Sequence, residues 1–251
     1  MIVVIGSTHD DVLYFEKVLY NKREETILNR FQAYIGTYFN QEALVVSGVY
    51  GSILAGALLS NILDHYYVDL IISVGKCYSV DKHTKNGDIV ISNRIVNANT
   101  DFTSVKEISI GEIPGLPKEY SVQTDIIRYL TQSLNKRSYV TSYQAVFLSS
   151  DNLSPETRST LSINRSIFGI TDERLVYDYN SYGLCLAASL KDIPFIACKV
   201  VENKFDAEYK VDDYLKVLDR YIDLGKSVLS MVGDIGRNDI LRGGVGNEYK
   251  N

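Results

Sequence analysis

The sequence predicts a single α/β domain in which a twisted mixed sheet is flanked by helices, and three observations carry that reading. Short apolar runs end at glycine: Met1 to Ile5 before Gly6, Ala43 to Ser47 before Gly48, and Leu70 to Val74 before Gly75. Such runs, rich in Ile and Val, are what strands buried on both faces look like. Helix-patterned segments separate them, above all Ser52 to His65 and Val211 to Val232. No linker, repeat or low-complexity run divides the 251 residues.

The first run is a short strand, and the polar turn after Gly6 leads into a helix from about Val12 to Leu19. Ala43 to Ser47 is the next strand. The Ala/Leu/Ile-rich stretch Ser52 to His65, with Gly56 inside, suits a helix pressed against a sheet or a second subunit. The centre of the chain is Asp69 to Ser92, read as a strand, a turn at Gly75, a polar loop and a second strand opening at Asp88 after Asn86-Gly87. Ligands in such sheets bind just beyond the carboxyl ends of the strands, so the residues from Gly75 onward mark a candidate site. An irregular region holding Pro114 and Pro117 follows, then a helix from Gln123 to Leu134 and a strand from Ser138 to Phe147.

The loop Ser149 to Asn152 closes that strand, and a further strand is expected at Arg174 to Tyr179. Asn180 and Ser181, both good N-caps, open a helix running to Lys191. Pro194 to Val201 is another buried strand. In the last helix, Tyr214, Val217, Leu218, Tyr221, Leu224, Val228 and Leu229 recur at spacings of three and four and form one apolar face. The domain therefore spans residues 1–235, and the glycine-rich 236–251 reads as a disordered tail.

Net charge is −5 with no basic cluster, which excludes a nucleic-acid partner. Three dispersed cysteines make neither a disulfide framework nor a metal motif. The chain opens on a strand rather than a leader, and no apolar run approaches the ~18 residues of a membrane span. A cytoplasmic protein without metal or cofactor is expected. No GxGxxG follows a strand, so a dinucleotide is not expected either.

Four pieces stand in order: VIGSTHDDV, SGVYGSILAGALL, DLIISVGKCYSVDKHTKNGDIVIS and DYNSYGLCLAASLKDIPFIACKVVEN. With the loop GEIPGLP they resemble the 5′-methylthioadenosine/S-adenosylhomocysteine nucleosidases of the nucleoside phosphorylase superfamily, over roughly residues 1 to 233. The resemblance implies a nucleoside phosphorylase-like fold and cleavage of the bond between a purine and C1′ of a ribose. It implies a base at Asp11, a ribose anchor at Asn180 and a general acid at Asn203, and at none of the three is the family's residue kept. Asp11 is one methylene, about 1.5 Å, shorter than Glu. Asn180 holds hydroxyls without a charge. Asn203 can donate a hydrogen bond but cannot deliver a proton, a service worth ~10²- to 10⁴-fold.

Where the family has Ser and Gly against the purine, this chain has Lys76 and Tyr78. Tyr78 either fills the purine space or swings aside to stack on the base. Lys76 either replaces the missing proton donor, binds an anionic group, or snorkels to solvent. Ser154, Asp178 and Tyr179 are further substrate-binding candidates, Asp178 because it matches an acidic position near the ribose. His9 is weighed as a surrogate acid against a solvated loop residue, and Cys77 as a nucleophile against a buried apolar side chain. Cys185 and Cys198 read as core. The phosphorylase branch binds phosphate through Arg in the first loop and on the central strand. Here the loop has no Arg and the strand has Ser73, so phosphate is disfavoured and water is the expected nucleophile.

Two functional readings result: a hydrolase of purine-type nucleosides, methylthioadenosine-like, with an altered site, and a catalytically silent nucleoside-binding or regulatory protein. In either, a small-molecule nucleoside or base is the ligand. Pairing through Ser52 to His65 makes a homodimer the expected assembly, since an uncovered apolar helix face would be a large exposed patch.

Overall fold

The computed structural model describes residues 1–79, 84–105, 107–152, 168–171, 173–204 and 211–237, with backbone alone at 203–204 and 211–213. Ten strands are β1 (Ile2–Ile5), β2 (Tyr20–Ile27), β3 (Phe31–Tyr38), β4 (Gln41–Val46), β5 (Leu70–Ser79), β6 (Ile89–Asn97), β7 (Glu119–Ser121), β8 (Ser142–Ser149), β9 (Leu175–Asp178) and β10 (Phe195–Lys204). Among the described residues, five helices are α1 (His9–Lys17), α2 (Ser52–His65), α3 (Thr124–Asn135), α4 (Ser181–Ser189) and α5 (Val211–Arg237).

The strands form one mixed sheet in the order β10-β6-β8-β9-β5-β1-β4-β3-β2, with β7 paired to β6. β10 also pairs with β5, so β5, β10, β6, β8 and β9 close into a ring. β1 runs parallel between β4 and β5, and β10 runs parallel to β5. Helices α1 and α3 pack on α5, and α2 packs on α4. Ile2 to Ile5, Leu70 to Ile72 and Ala43 to Val46 are all fully buried, which explains their unbroken apolar pattern. Burying one such Val, Leu or Ile stabilises the fold by about 1.5–3 kcal/mol.

Several sequence expectations change. Gly75 does not end its strand: β5 continues to Ser79 because β10 pairs alongside it from Phe195 to Lys204. Gly75 has φ +134, open to glycine and strained for other residues. α1 starts at His9 rather than Val12, since Thr8 and Asp11 form a capping box at its N-terminus. The hairpin of β2 and β3 was not anticipated: β2 is exposed along nearly its whole length and carries no apolar alternation. α5 runs on through Gly233 and Gly236, which seat the Phe39 ring and the Gln41 side chain against the helix. Residues 236–237 are therefore helical, and the remainder of the expected tail lies outside the described residues.

Candidate active site

β1 ends level with Ser73, β5 and β10 run on together past it to Ser79 and Lys204, and the turn after β1 brings α1 against β5 at Gly75. Asp11 is 1% exposed. Its Oδ2 accepts from the Ser7 and Thr8 backbone N–H groups, both at 2.8 Å. Its Oδ1 is buried with no hydrogen-bond partner among the described residues. One oxygen thus holds the loop and the other is left for something else. Gly75 lies against this carboxylate: a Cβ there would come within 2.9 Å of Oδ2. Only glycine lets β5 pass so close.

Lys76 follows on β5, and its Nζ donates to Glu202 Oε1 at 2.7 Å. Burial pulls the Lys76 ammonium down, but the hydrogen bond and charge of Glu202, then the charges of Asp11 and Tyr50, outweigh it and hold the group above its ordinary value. Glu202 reaches Lys76 from a bulge: Val201 pairs with Cys77 and Asn203 with Tyr78, so Glu202 is the extra residue. Tyr221, from α5, closes the other side. Burial, then the charge of Asp11 and the close approach of the phenol to that carboxylate, push it well up.

A second cluster is sealed beneath. Lys199, in the middle of β10, is fully buried and lies 2.5 Å from Asp178 Oδ2 and 2.6 Å from Asn180 Oδ1. Ser181 Oγ also donates to Asp178. The Asn180 amide nitrogen donates to Ser7 Oγ and to the Val49 carbonyl, each at 3.1 Å. Asn180 does occupy the N-cap position of α4, yet its side chain makes no capping bond because both of its polar ends are committed here. As a ribose anchor it would have to exchange one of these partners for a hydroxyl.

Tyr179 stacks on Tyr50 with ring centroids 5.7 Å apart and planes 9° apart. Tyr78 is half-buried and packs against the apolar cluster of Val96, Phe168, Leu175 and Tyr177. Asn203 stands opposite Tyr78 in register, at the end of β10. Ser154 lies outside the described residues. His9 is exposed and turned toward Glu16, 3.7 Å away. Cys77, Cys185 and Cys198 are buried, and burial raises all three thiols, which fits apolar packing rather than nucleophilic chemistry.

The structure thus brings Asp11, Lys76 and Asn180 to one end of the sheet and adds groups that pattern reading missed. Lys199 had a signal, a lysine inside the apolar run FIACKVV. Glu202 had little: alternation puts it on the face of Val200, the register partner of Lys76, but only the long-range pairing of β10 with β5 identifies that lysine as its partner.

A family model described as the phosphorylase superfamily matches residues 1–232. Curated relatives include the 5′-methylthioadenosine/S-adenosylhomocysteine nucleosidase of Buchnera aphidicola subsp. Acyrthosiphon pisum, 24% identical over 81% of this chain and 84% of its own. The same enzyme of Staphylococcus haemolyticus is 22% identical over 81% and 86%. Among solved structures, the Neisseria meningitidis nucleosidase in complex with methylthio-immucillin-A superposes with a TM-score of 0.81 at 18% identity, covering 93% of this chain and 98% of that one. A Borrelia burgdorferi protein described as a nucleosidase and bound to adenine gives 0.81 at 19% identity, covering 94% and 100%.

Proposed function

Since the chain belongs to the phosphorylase superfamily, we propose that it binds a purine-type nucleoside and hydrolyses its N-glycosidic bond, with methylthioadenosine or S-adenosylhomocysteine as the substrate class. The observation that carries this reading is the buried Asp11 carboxylate beside Gly75, just past the carboxyl end of β1, with Oδ1 lacking a hydrogen-bond partner among the described residues. A carboxylate oxygen left without a donor in the interior is costly unless a water or ligand hydroxyl fills the place. In the reaction it would orient the attacking water and take its proton.

Ligand binding to the native state raises the melting temperature. A nucleoside at a hundred times its Kd adds about 2.7 kcal/mol, which for a domain of this size is a rise of roughly 5–10 °C. Thermal-shift measurements with methylthioadenosine, S-adenosylhomocysteine, adenosine and adenine are expected to show such a rise for at least one of them, with adenine release following on the nucleosides. No shift with any member of the panel would overturn the reading.

The same proposal places a second copy of the chain on the α2–α4 face. A concave region of about 410 Å³ lies there, lined by Ser60, Tyr182 and Leu186 among others. Ile53 and Leu190, which also line it, are 86% and 68% exposed. Light scattering at micromolar concentration is expected to report twice the single-chain mass, and a monomer would remove this part of the proposal. Three buried free thiols fit a reducing compartment such as the cytoplasm. No described helix is long and apolar enough to cross a membrane.

A further inference from the structure

Hydrolysis of an N-glycosidic bond needs a proton for the departing base, and Asn203 cannot supply one. At this end of the sheet the described residues offer few other sources. Lys199 is fully buried and its ammonium is spent on Asp178 and Asn180. Cys77 is fully buried with its thiol raised, and Tyr221 has its phenol raised and is 5% exposed. His9 is turned toward Glu16. Lys76 differs from all of these. Its side chain is 23% exposed, so it is reachable from outside, and it lies within electrostatic range of Asp11.

The Glu202 carboxylate, itself 6% exposed, fixes where that ammonium stands. Glu202 is the extra residue of a β-bulge, a feature common beside sites, and it lies two positions after Val200, the register partner of Lys76, which sets its carboxylate 2.7 Å from Lys76 Nζ. We propose that Lys76 is the group that protonates the departing base, with Glu202 as its positioning residue; this rests on the hydrolytic reading above. As the C1′–N bond breaks, its electron pair goes to the base nitrogen and a proton from Lys76 Nζ joins it there. Water adds to C1′ and gives its proton to Asp11, from which it returns through solvent to the neutral Lys76 amine. The balance is nucleoside plus water to free base plus ribose.

The test compares methylthioadenosine with 4-nitrophenyl β-D-riboside, whose phenolate leaves without being protonated. Lys76→Met, or Lys76→Gln if the first folds poorly, is expected to lower kcat on methylthioadenosine by ~10²- to 10⁴-fold while changing turnover of the nitrophenyl riboside by less than about threefold. Retained riboside activity also shows that the variant is folded. Glu202→Gln removes the charge that holds the ammonium up, so the alkaline fall of the methylthioadenosine pH profile is expected to move to lower pH. A purely structural role for Glu202 would leave that fall where it is. Equal losses on both substrates, or no loss on either, would overturn proton delivery by Lys76. Wild-type protein that shows a nucleoside thermal shift but no adenine release would overturn this inference and leave nucleoside binding standing. Absence of the shift removes both.

Discussion

Replacing Lys199 with methionine is expected to lower the unfolding free energy by about 3–5 kcal/mol, the range found when one partner of a buried ion pair is removed. Methionine is nearly as long as the lysine stem, so little of the loss comes from a cavity. It comes from Asp178, which is fully buried and would keep only the Ser181 hydroxyl on Oδ2, its Oδ1 already lacking a partner among the described residues. Asn180 would lose its acceptor contact as well. Urea unfolding followed by circular dichroism measures the change. The double variant Lys199→Met, Asp178→Asn should recover much of it, because the stranded charge goes with its partner. A single-variant loss below about 1 kcal/mol would mean that the pair is not what neutralises this part of the interior.

Gly183→Ala is expected to cost about 1–3 kcal/mol or more by overpacking. A Cβ at 183 would stand 2.0 Å from the Ser52 carbonyl oxygen, which is backbone and cannot rotate away. Nor can the two helices slide apart freely. Asp151 accepts from the Ser52 N–H at 2.7 Å at the start of α2, and Asn180 ties the start of α4 to Lys199, Ser7 and Val49. Across the same crossing, a Cβ at Gly56 would meet the Gly183 carbonyl at 3.4 Å, close to ordinary contact. Gly56→Ala should therefore be near neutral, its tighter contact offset by the helix preference of Ala over Gly, about 1 kcal/mol. The contrast is read from two urea midpoints, and similar losses at both positions would contradict the packing argument.

The α/β class and helix α2 were legible because burial on both faces leaves an unbroken apolar run in a strand and a small-residue pattern in a closely packed helix. Hairpin β2–β3 was half legible: β3 alternates with Phe31, Ala33 and Ile35 buried, whereas β2 buries almost nothing and leaves no periodicity to read. Gly75 misled because glycine after an apolar run usually marks a turn. Here it marks the passage of a strand beneath a carboxylate, which depends on a helix more than sixty positions away. Lys76 could be singled out from its place after a strand glycine, and Asp11 through the family resemblance. The engagement of Asn180 with Lys199 could not, since nothing local in sequence joins a helix start to the middle of a later strand.

The outermost strand, β2, carries the run Lys22, Arg23, Glu24, Glu25 along a border with unpaired backbone groups. A free border of this kind invites another chain to add a strand, and then another. Because the inner strands close into a ring, they offer no second long border among the described residues. The four charges make the remaining one a poor template, since an incoming strand would have to strip water from lysine, arginine and glutamate side chains and give little apolar contact in return. The polar composition that hid β2 from pattern reading is thus a safeguard against fibrous self-assembly, and a growing stack of copies would have to begin at a strand built to refuse it.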